Sequence, residues 1–166
     1  MPAVSPAPSR RGPWPGYFRM LRAFTPHLVA AKGAQVVNVA SYWAGGLDLD
    51  DLQFRQRRYN NDTAYRQSKQ ADRMLSTAFA ERLAEQSVCV NACHPGDVSS
   101  TLSNNLGFGG HQSPQVGADT PVWLAIGSAG TGTTGRYFEN RRAVPCGFSK
   151  DRNATQRLFE ICQAYD

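Results

Sequence analysis

The chain has 166 residues and a mass of 18.2 kDa, which admits one domain with its own hydrophobic core and excludes two large ones. Hydrophobic residues make up 41% and charged residues 19%, outside the low-hydrophobicity, high-charge range of disordered chains. The net charge of +5 would suit an anionic ligand, but the basic residues are scattered rather than gathered in blocks, which argues against a nucleic-acid partner.

Residues 1–16 carry Arg10 and Arg11 but are broken by Pro2, Pro6, Pro8, Pro13 and Pro15 and contain no apolar stretch. They do not read as a secretory signal. A Pro-rich disordered leader over residues 1–15 and a cytoplasmic location are the expectations. Apolar runs such as residues 122–126 fall far short of the roughly 20 residues of a membrane helix, so no transmembrane segment is expected. In residues 17–31, Phe18, Leu21, Phe24, Leu28 and Ala31 keep a helical period that Pro26 interrupts, predicting a helix with a kink or an early stop. Residues 35–40 are a short β-branched run bounded by turn signals and predict a buried strand. Residues 42–63, rich in Gly, Asp, Arg and Asn, predict a long surface loop, and loops of that length are usually functional.

Residues 64–85 place Ala71, Met74, Leu75, Ala78, Phe79 and Leu83 at spacings of three and four, the clearest helix of the chain. Residues 88–93 predict the next strand, and His94-Pro95-Gly96 opens a polar loop. A second amphipathic helix is predicted over 115–127, a short strand over 136–138 and a closing helix over 151–164 with Asp151 near its N-terminus. Strands alternating with helices predict parallel strands joined by right-handed crossovers. Cys89 and Cys93 sit four positions apart in a strand, about 13 Å at about 3.3 Å per residue, too far for a disulfide. They read as buried thiols. Cys146 and Cys162 add no CxxC pair and no Cys/His cluster, so no metal site is expected. The sequons at Asn61 and Asn153 read as coincidence.

Gly130-Thr131-Gly132-Thr133-Thr134-Gly135 spells the G-x-G-x-x-G of a dinucleotide loop. That mechanism needs a strand before the glycines and a helix after them. Here the predicted order is reversed, so the segment reads as a flexible helix-to-strand connection.

Tyr65 and Lys69 lie four residues apart at the start of the clearest helix, so both side chains leave one face. The pairing has a chemical use, because an ammonium beside a phenol favours its ionised form. Ser41 directly follows the first strand and His94-Pro95-Gly96 the second, so both lie at strand C-terminal ends, where open α/β sheets place ligands. Read one at a time, a strand-end serine, a solvated lysine and a turn would be equally natural.

Taken together, Val36-Val37-Asn38-Val39-Ala40-Ser41, Ala64-Tyr65-Arg66-Gln67-Ser68-Lys69, His94-Pro95-Gly96-Asp97-Val98 and Gly135-Arg136-Tyr137-Phe138 resemble the short-chain dehydrogenase/reductase family. Within it the chain is most similar to the retinol dehydrogenase-like branch, whose longer serine-to-tyrosine spacing it has. These motifs cover most of residues 16–163 in the family's order. The resemblance implies a truncated Rossmann-like, doubly wound α/β sheet that retains the last three parallel strands with flanking helices. It implies that Ser41 hydrogen-bonds a substrate oxygen, that Tyr65 exchanges a proton with it, and that Lys69 holds the nicotinamide ribose and eases ionisation of Tyr65. Pro95, Gly96, Val98 and Ser100 would border the nicotinamide and its phosphate side. The reaction implied is hydride transfer between NADP or NAD and a small lipophilic alcohol or carbonyl substrate.

The family's TGxxxG loop, the residue that selects the adenosine ribose and the NNAG-type strand would all precede residue 1, so residues 16–166 read as the C-terminal half of the domain. The strand at 35–40 would then lack its inner neighbour, leaving its edge open. Alignment of Gly16-Tyr17-Phe18 puts Pro13 where the family has a catalytic Asn, and residues 1–15 match nothing in the family. Two readings follow from this: an NAD(P)-dependent oxidoreductase, or a catalytically silent fragment acting as a binding module or homodimerising through the helices at 17–31 and 64–85.

Overall fold

The computed structural model describes residues 15–105, 107 and 109–165. Its centre is a four-stranded sheet in the order β1 (Gln35–Val39), β2 (Cys89–His94), β3 (Tyr137–Glu139), β4 (Arg142–Val144). The first three strands are parallel, with Val37 opposite Asn91 and Ala92 opposite Tyr137. Each parallel step needs a crossover. Helix α2 (Asn61–Leu83) supplies the first, and α3 (Thr101–Asn105) with α4 (Pro114–Ile126) the second. Strand β4 runs antiparallel to β3 and was not foreseen. It is three residues long and is reached through Asn140 and Arg141, both at positive φ (47° and 59°), the geometry of a tight hairpin turn without the glycine that normally announces one.

Alternation along the strands sends side chains to two faces. Val36 and Val90 join Phe18 and Leu21 of α1 (Pro15–Ala30), Met74, Leu75 and Phe79 of α2, and Leu158 and Phe159 of α5 (Arg152–Ala164). The rings of Phe18, Phe79 and Phe159 meet at centroid distances of 5.1 to 5.5 Å, each pair adding about 1 kcal/mol beyond burial. Val37, Val39, Cys93 and Phe138 pack on Trp123 and Leu124 of α4. Helices therefore cover both faces of the sheet, the doubly wound arrangement.

Several local expectations are corrected. Helix α1 runs through Pro26 to Ala30, so of the kink or early stop expected there the early stop does not occur. Proline removes a single N–H donor there, and Leu28 and Val29 beyond it still pack against the core. Pro15, assigned to the leader, opens α1, where its missing N–H costs nothing. The rest of that segment and Pro13 lie outside the described residues. Helix α2 starts at Asn61, three residues before the expected start, because Asn60 caps it by accepting from the Thr63 N–H at 2.9 Å. The segment 42–60 is the long surface loop expected, but it is anchored: Leu52 is buried in the core, and Leu47 and Leu49, partly buried, pack against it. Asp51, buried, accepts from the backbone N–H groups of Arg55 and Gln56 and pairs with Arg57 at 3.3 Å. Helix α4 is not amphipathic, since it buries Gly117, Thr120 and Leu124 yet exposes Val116, Val122 and Ile126.

The glycine segment 130–135 does connect a helix to a strand, and it is tied down. Thr134 Oγ1 accepts from the Val90 N–H at 3.0 Å, Gly135 N–H donates to the Val90 carbonyl at 2.8 Å, and Asn91 Nδ2 donates to the Thr133 carbonyl at 2.6 Å. These bonds hold the segment on the first residues of β2, at the sheet end opposite Ser41. All four cysteines are free thiols; Cys93 is buried as expected, whereas Cys89 is half-buried.

Candidate active site

Ser41, Tyr65, Lys69, Pro95, Gly96, Val98 and Ser100 all line one cavity of about 140 Å³ at the C-terminal ends of β1 and β2. Three separate stretches supply them. The first two residues beyond β1 bring Ser41, the first three turns of α2 bring Tyr65 and Lys69, and the turn after β2 brings the rest. Val39, Ala40, Tyr42, Trp43, His94, Asp97, Leu102 and Ser103 complete the wall.

Ser41 is buried, and its Oγ accepts from the Trp43 N–H at 3.1 Å. Its hydroxyl hydrogen stays available to donate. One helical turn separates Tyr65 from Lys69, whose Nζ stands 6.0 Å from the Tyr65 ring centroid and 5.2 Å from that of Tyr17. Lys69 Nζ donates to the Val39 carbonyl at 2.9 Å and to Asp72 Oδ2 at 3.2 Å. Burial works against its charge, but Asp72, Tyr17 and Tyr65 outweigh it, so Lys69 holds its proton more tightly than an ordinary lysine. Burial raises the Asp72 carboxyl as well, up to about 7 against the pull of Lys69. Burial raises the Tyr17 phenol too, only partly offset by Lys69.

The turn after β2 owes its path to glycine. Gly96 sits at φ +95°, a left-handed conformation that glycine adopts without strain. Val98 then pairs with Gln112, and Ser99 N–H donates to the Gln112 carbonyl at 2.9 Å, closing the segment on itself. Ser100 Oγ accepts from the Ser103 N–H at 3.1 Å and so caps α3. His94 packs edge-on against Tyr42 at 4.5 Å, and burial lowers its pKa, leaving the ring neutral at pH 7.

Sequence reasoning missed Tyr17, Asp72 and Arg73. Asp72 follows Lys69 by three residues, a helix-neighbour spacing that could have been read directly. Tyr17 reaches the site across the fold, its hydroxyl donating to the Val39 carbonyl at 3.0 Å, and nothing local announces it. Among the described residues no cluster of His, Cys, Asp or Glu could hold a metal ion. No helix among them is long and apolar enough to cross a membrane.

Comparison with known proteins bears on the family and the fold. The family model for short chain dehydrogenase matches residues 14–108. Human (Homo sapiens) Retinol dehydrogenase 13 is 28% identical over 162 residues, covering 87% of this chain and 49% of that protein. Human Retinol dehydrogenase 14 is 30% identical over 166 residues, covering 89% and 48%. The chain thus spans about half the length of the curated relatives it matches. In three dimensions it resembles a crystal structure from Mycobacterium Paratuberculosis with a TM-score of 0.64, 24% identity, and coverage of 90% of this chain and 56% of that one. It also resembles a 3-oxoacyl-[acyl-carrier protein] reductase with bound NAD from Brucella melitensis, with a TM-score of 0.53, 24% identity, and coverage of 75% and 46%. With three parallel strands, helices on both faces and this match, the chain belongs to the short chain dehydrogenase family, in its retinol dehydrogenase-like branch.

Proposed function

We propose that this chain carries the nicotinamide-facing and substrate-facing part of an NAD(P)-dependent oxidoreductase acting on a small lipophilic alcohol or carbonyl compound. The observation that supports it is the convergence of Ser41, Tyr65 and Lys69 on one cavity with the 95–100 turn. Ser41, with its Oγ already accepting from Trp43, donates its hydroxyl hydrogen to the substrate oxygen. Tyr65 exchanges a proton with that same oxygen. Lys69 supplies fixed positive charge beside it, which stabilises negative charge as it develops there.

The residues present suit the nicotinamide ribosyl end of a dinucleotide. Lys69 is held by the Val39 carbonyl and Asp72 and lines the cavity, where its ammonium can meet a ribose hydroxyl. Pro95, Gly96, Val98 and Ser100 form the wall against which the ring and its phosphate side would rest. The cavity, at about 140 Å³, is smaller than the roughly 300–1,000 Å³ of a complete small-molecule site, which suits one end of a dinucleotide rather than the whole. When bound, the nicotinamide supplies or accepts the hydride. The NAD held by the Brucella melitensis reductase supports a cofactor of this class. A cytoplasmic setting belongs to the same proposal and rests on the sequence reading.

The other reading, a catalytically silent binding or dimerisation module, draws on one observation. Met20 and Phe24 of α1 are 59% and 50% exposed and line a groove of about 520 Å³ beside β1. Helix α2 offers no comparable surface, because this chain's own elements bury most of its length. Titration of the full chain with NADPH separates the two readings. The oxidoreductase gives a saturable rise in nicotinamide fluorescence and a raised melting temperature; the silent module leaves both flat.

A further inference from the structure

Between α1, β1 and α2, under the cavity, Lys69 is held by buried polar groups to which the proposed proton and hydride steps give no role. Lys69 Nζ is held by the Val39 carbonyl at 2.9 Å and by Asp72 Oδ2 at 3.2 Å. The Tyr17 hydroxyl occupies the other lone pair of that carbonyl at 3.0 Å. Asp72 is 1% exposed, and its second oxygen, Oδ1, has no hydrogen-bond partner among the described residues.

A buried carboxylate with one oxygen unsatisfied is a poor device for stability, since an apolar residue of similar volume would serve the fold as well or better. What it does here is constrain Lys69. We propose that Asp72 is a positioning residue for Lys69: with the Val39 carbonyl it holds the ammonium at the cavity wall, where it meets a ligand hydroxyl. The inference deepens the oxidoreductase reading and, in its ligand half, rests on it.

A consequence is sensitivity to pH. The titratable groups around the pair are Tyr65 from α2, Tyr17 from α1 and Cys93 from β2. Burial raises Tyr17 and pushes the Cys93 thiol up to about 12, so both stay protonated near neutrality. Asp72, pushed up to about 7 by burial, is the buried member of the cluster that changes charge there. The tether on Lys69 is therefore ionic above that range and weakened below it.

The test is carbon-detected NMR of the full chain between pH 5 and 8.5, following the Asp72 carboxyl and the Lys69 ε-carbon. The proposal expects both signals to move together in the wild type. In Asp72→Asn the Lys69 response disappears, and in Lys69→Met the Asp72 midpoint moves upward. Reduced nicotinamide mononucleotide should bind at least about fivefold more tightly at pH 8 than at pH 6, with the difference lost in Asp72→Asn. A Lys69 signal that is flat in the wild type, or that titrates unchanged in Asp72→Asn, overturns the proposal. Lys69→Met needs only the wild-type comparison, so the proposal stays falsifiable if Asp72→Asn fails to fold. Should the two signals move together while the mononucleotide binds at no pH, the positioning stands and the oxidoreductase reading fails.

Discussion

Arg73, buried in α2, donates from Nη2 to the Ser41 carbonyl at 2.5 Å and to the Tyr137 hydroxyl at 2.5 Å. Its guanidinium lies 3.5 Å from the centroid of the Tyr137 ring, and that hydroxyl donates onward to Glu139 at 2.8 Å. Ser41, two residues beyond β1, is thus tied through α2 to β3. Ser41 is fixed twice, its carbonyl by Arg73 and its Oγ by Trp43.

Arg73→Met removes that tie and leaves the Ser41 carbonyl and Tyr137 hydroxyl without their buried donor. It should cost about 3 kcal/mol of folding stability, the scale of breaking a buried charged contact. Urea denaturation followed by circular dichroism checks this; a loss below about 1 kcal/mol would mean the guanidinium carries little of the load.

Tyr65→Phe deletes one hydroxyl from a half-buried side chain that lines the cavity. The proposed turnover of a carbonyl substrate should fall by about 10² to 10⁴, the range for loss of a positioned acid or base, with the melting temperature nearly unchanged. Turnover within twofold of the wild type would remove Tyr65 from the proton step.

The Asp72 carboxyl binds its proton more tightly folded than unfolded, rising from 3.8 to about 7. Between those values the folded state holds more of this proton than the unfolded state, so stability falls as pH rises. Relative to Asp72→Asn, the wild type should lose up to about 1.4 kcal/mol per pH unit between pH 4 and 7 and then level off. Parallel stability curves for the two proteins would contradict the shift.

Gly110 sits at φ +61°, and a Cβ there would lie 2.3 Å from the Val98 carbonyl oxygen. Gly110→Ala should therefore open the junction where Val98 meets Gln112, at about 1–3 kcal/mol for a strained backbone, and displace Val98 and Ser100 from the cavity wall. A thermal melt together with NADPH titration reads both effects; an unchanged melt and unchanged affinity would show the junction is not tight.

The exposed Met20 and Phe24 beside β1 should bind an apolar reporter dye in the folded protein. Replacing both by Glu should reduce anilinonaphthalene sulfonate fluorescence at least about twofold, while equal fluorescence would place the dye elsewhere.

The parallel strands and both faces of the sheet were legible because apolar period and strand length are local properties, visible in Val36, Val37 and Val39 or in Met74, Leu75 and Ala78. Ser41 and the 94–96 turn were legible as strand ends that open on one sheet edge, whereas Val98, Ser100 and the part each cavity residue plays came from the resemblance to the family. Features decided by partners distant in the chain were not. Tyr17 meets Lys69 only after α1 docks, and Arg73 finds Tyr137 across 64 positions. The anchor formed by Leu47, Leu49 and Leu52 hid behind charged neighbours, and β4 behind a turn lacking glycine. Asp72 was readable at three residues from Lys69, but its burial, which gives it a role, belongs to the tertiary structure.

The most direct measurement is an NMR titration of the isotopically labelled full chain with reduced nicotinamide mononucleotide, which presents only the end of the cofactor that the cavity suits. The account predicts saturable shifts centred on Ser41, Tyr65, Lys69, Gly96 and Val98. Shifts confined to another surface, or none at saturating concentration, would contradict it.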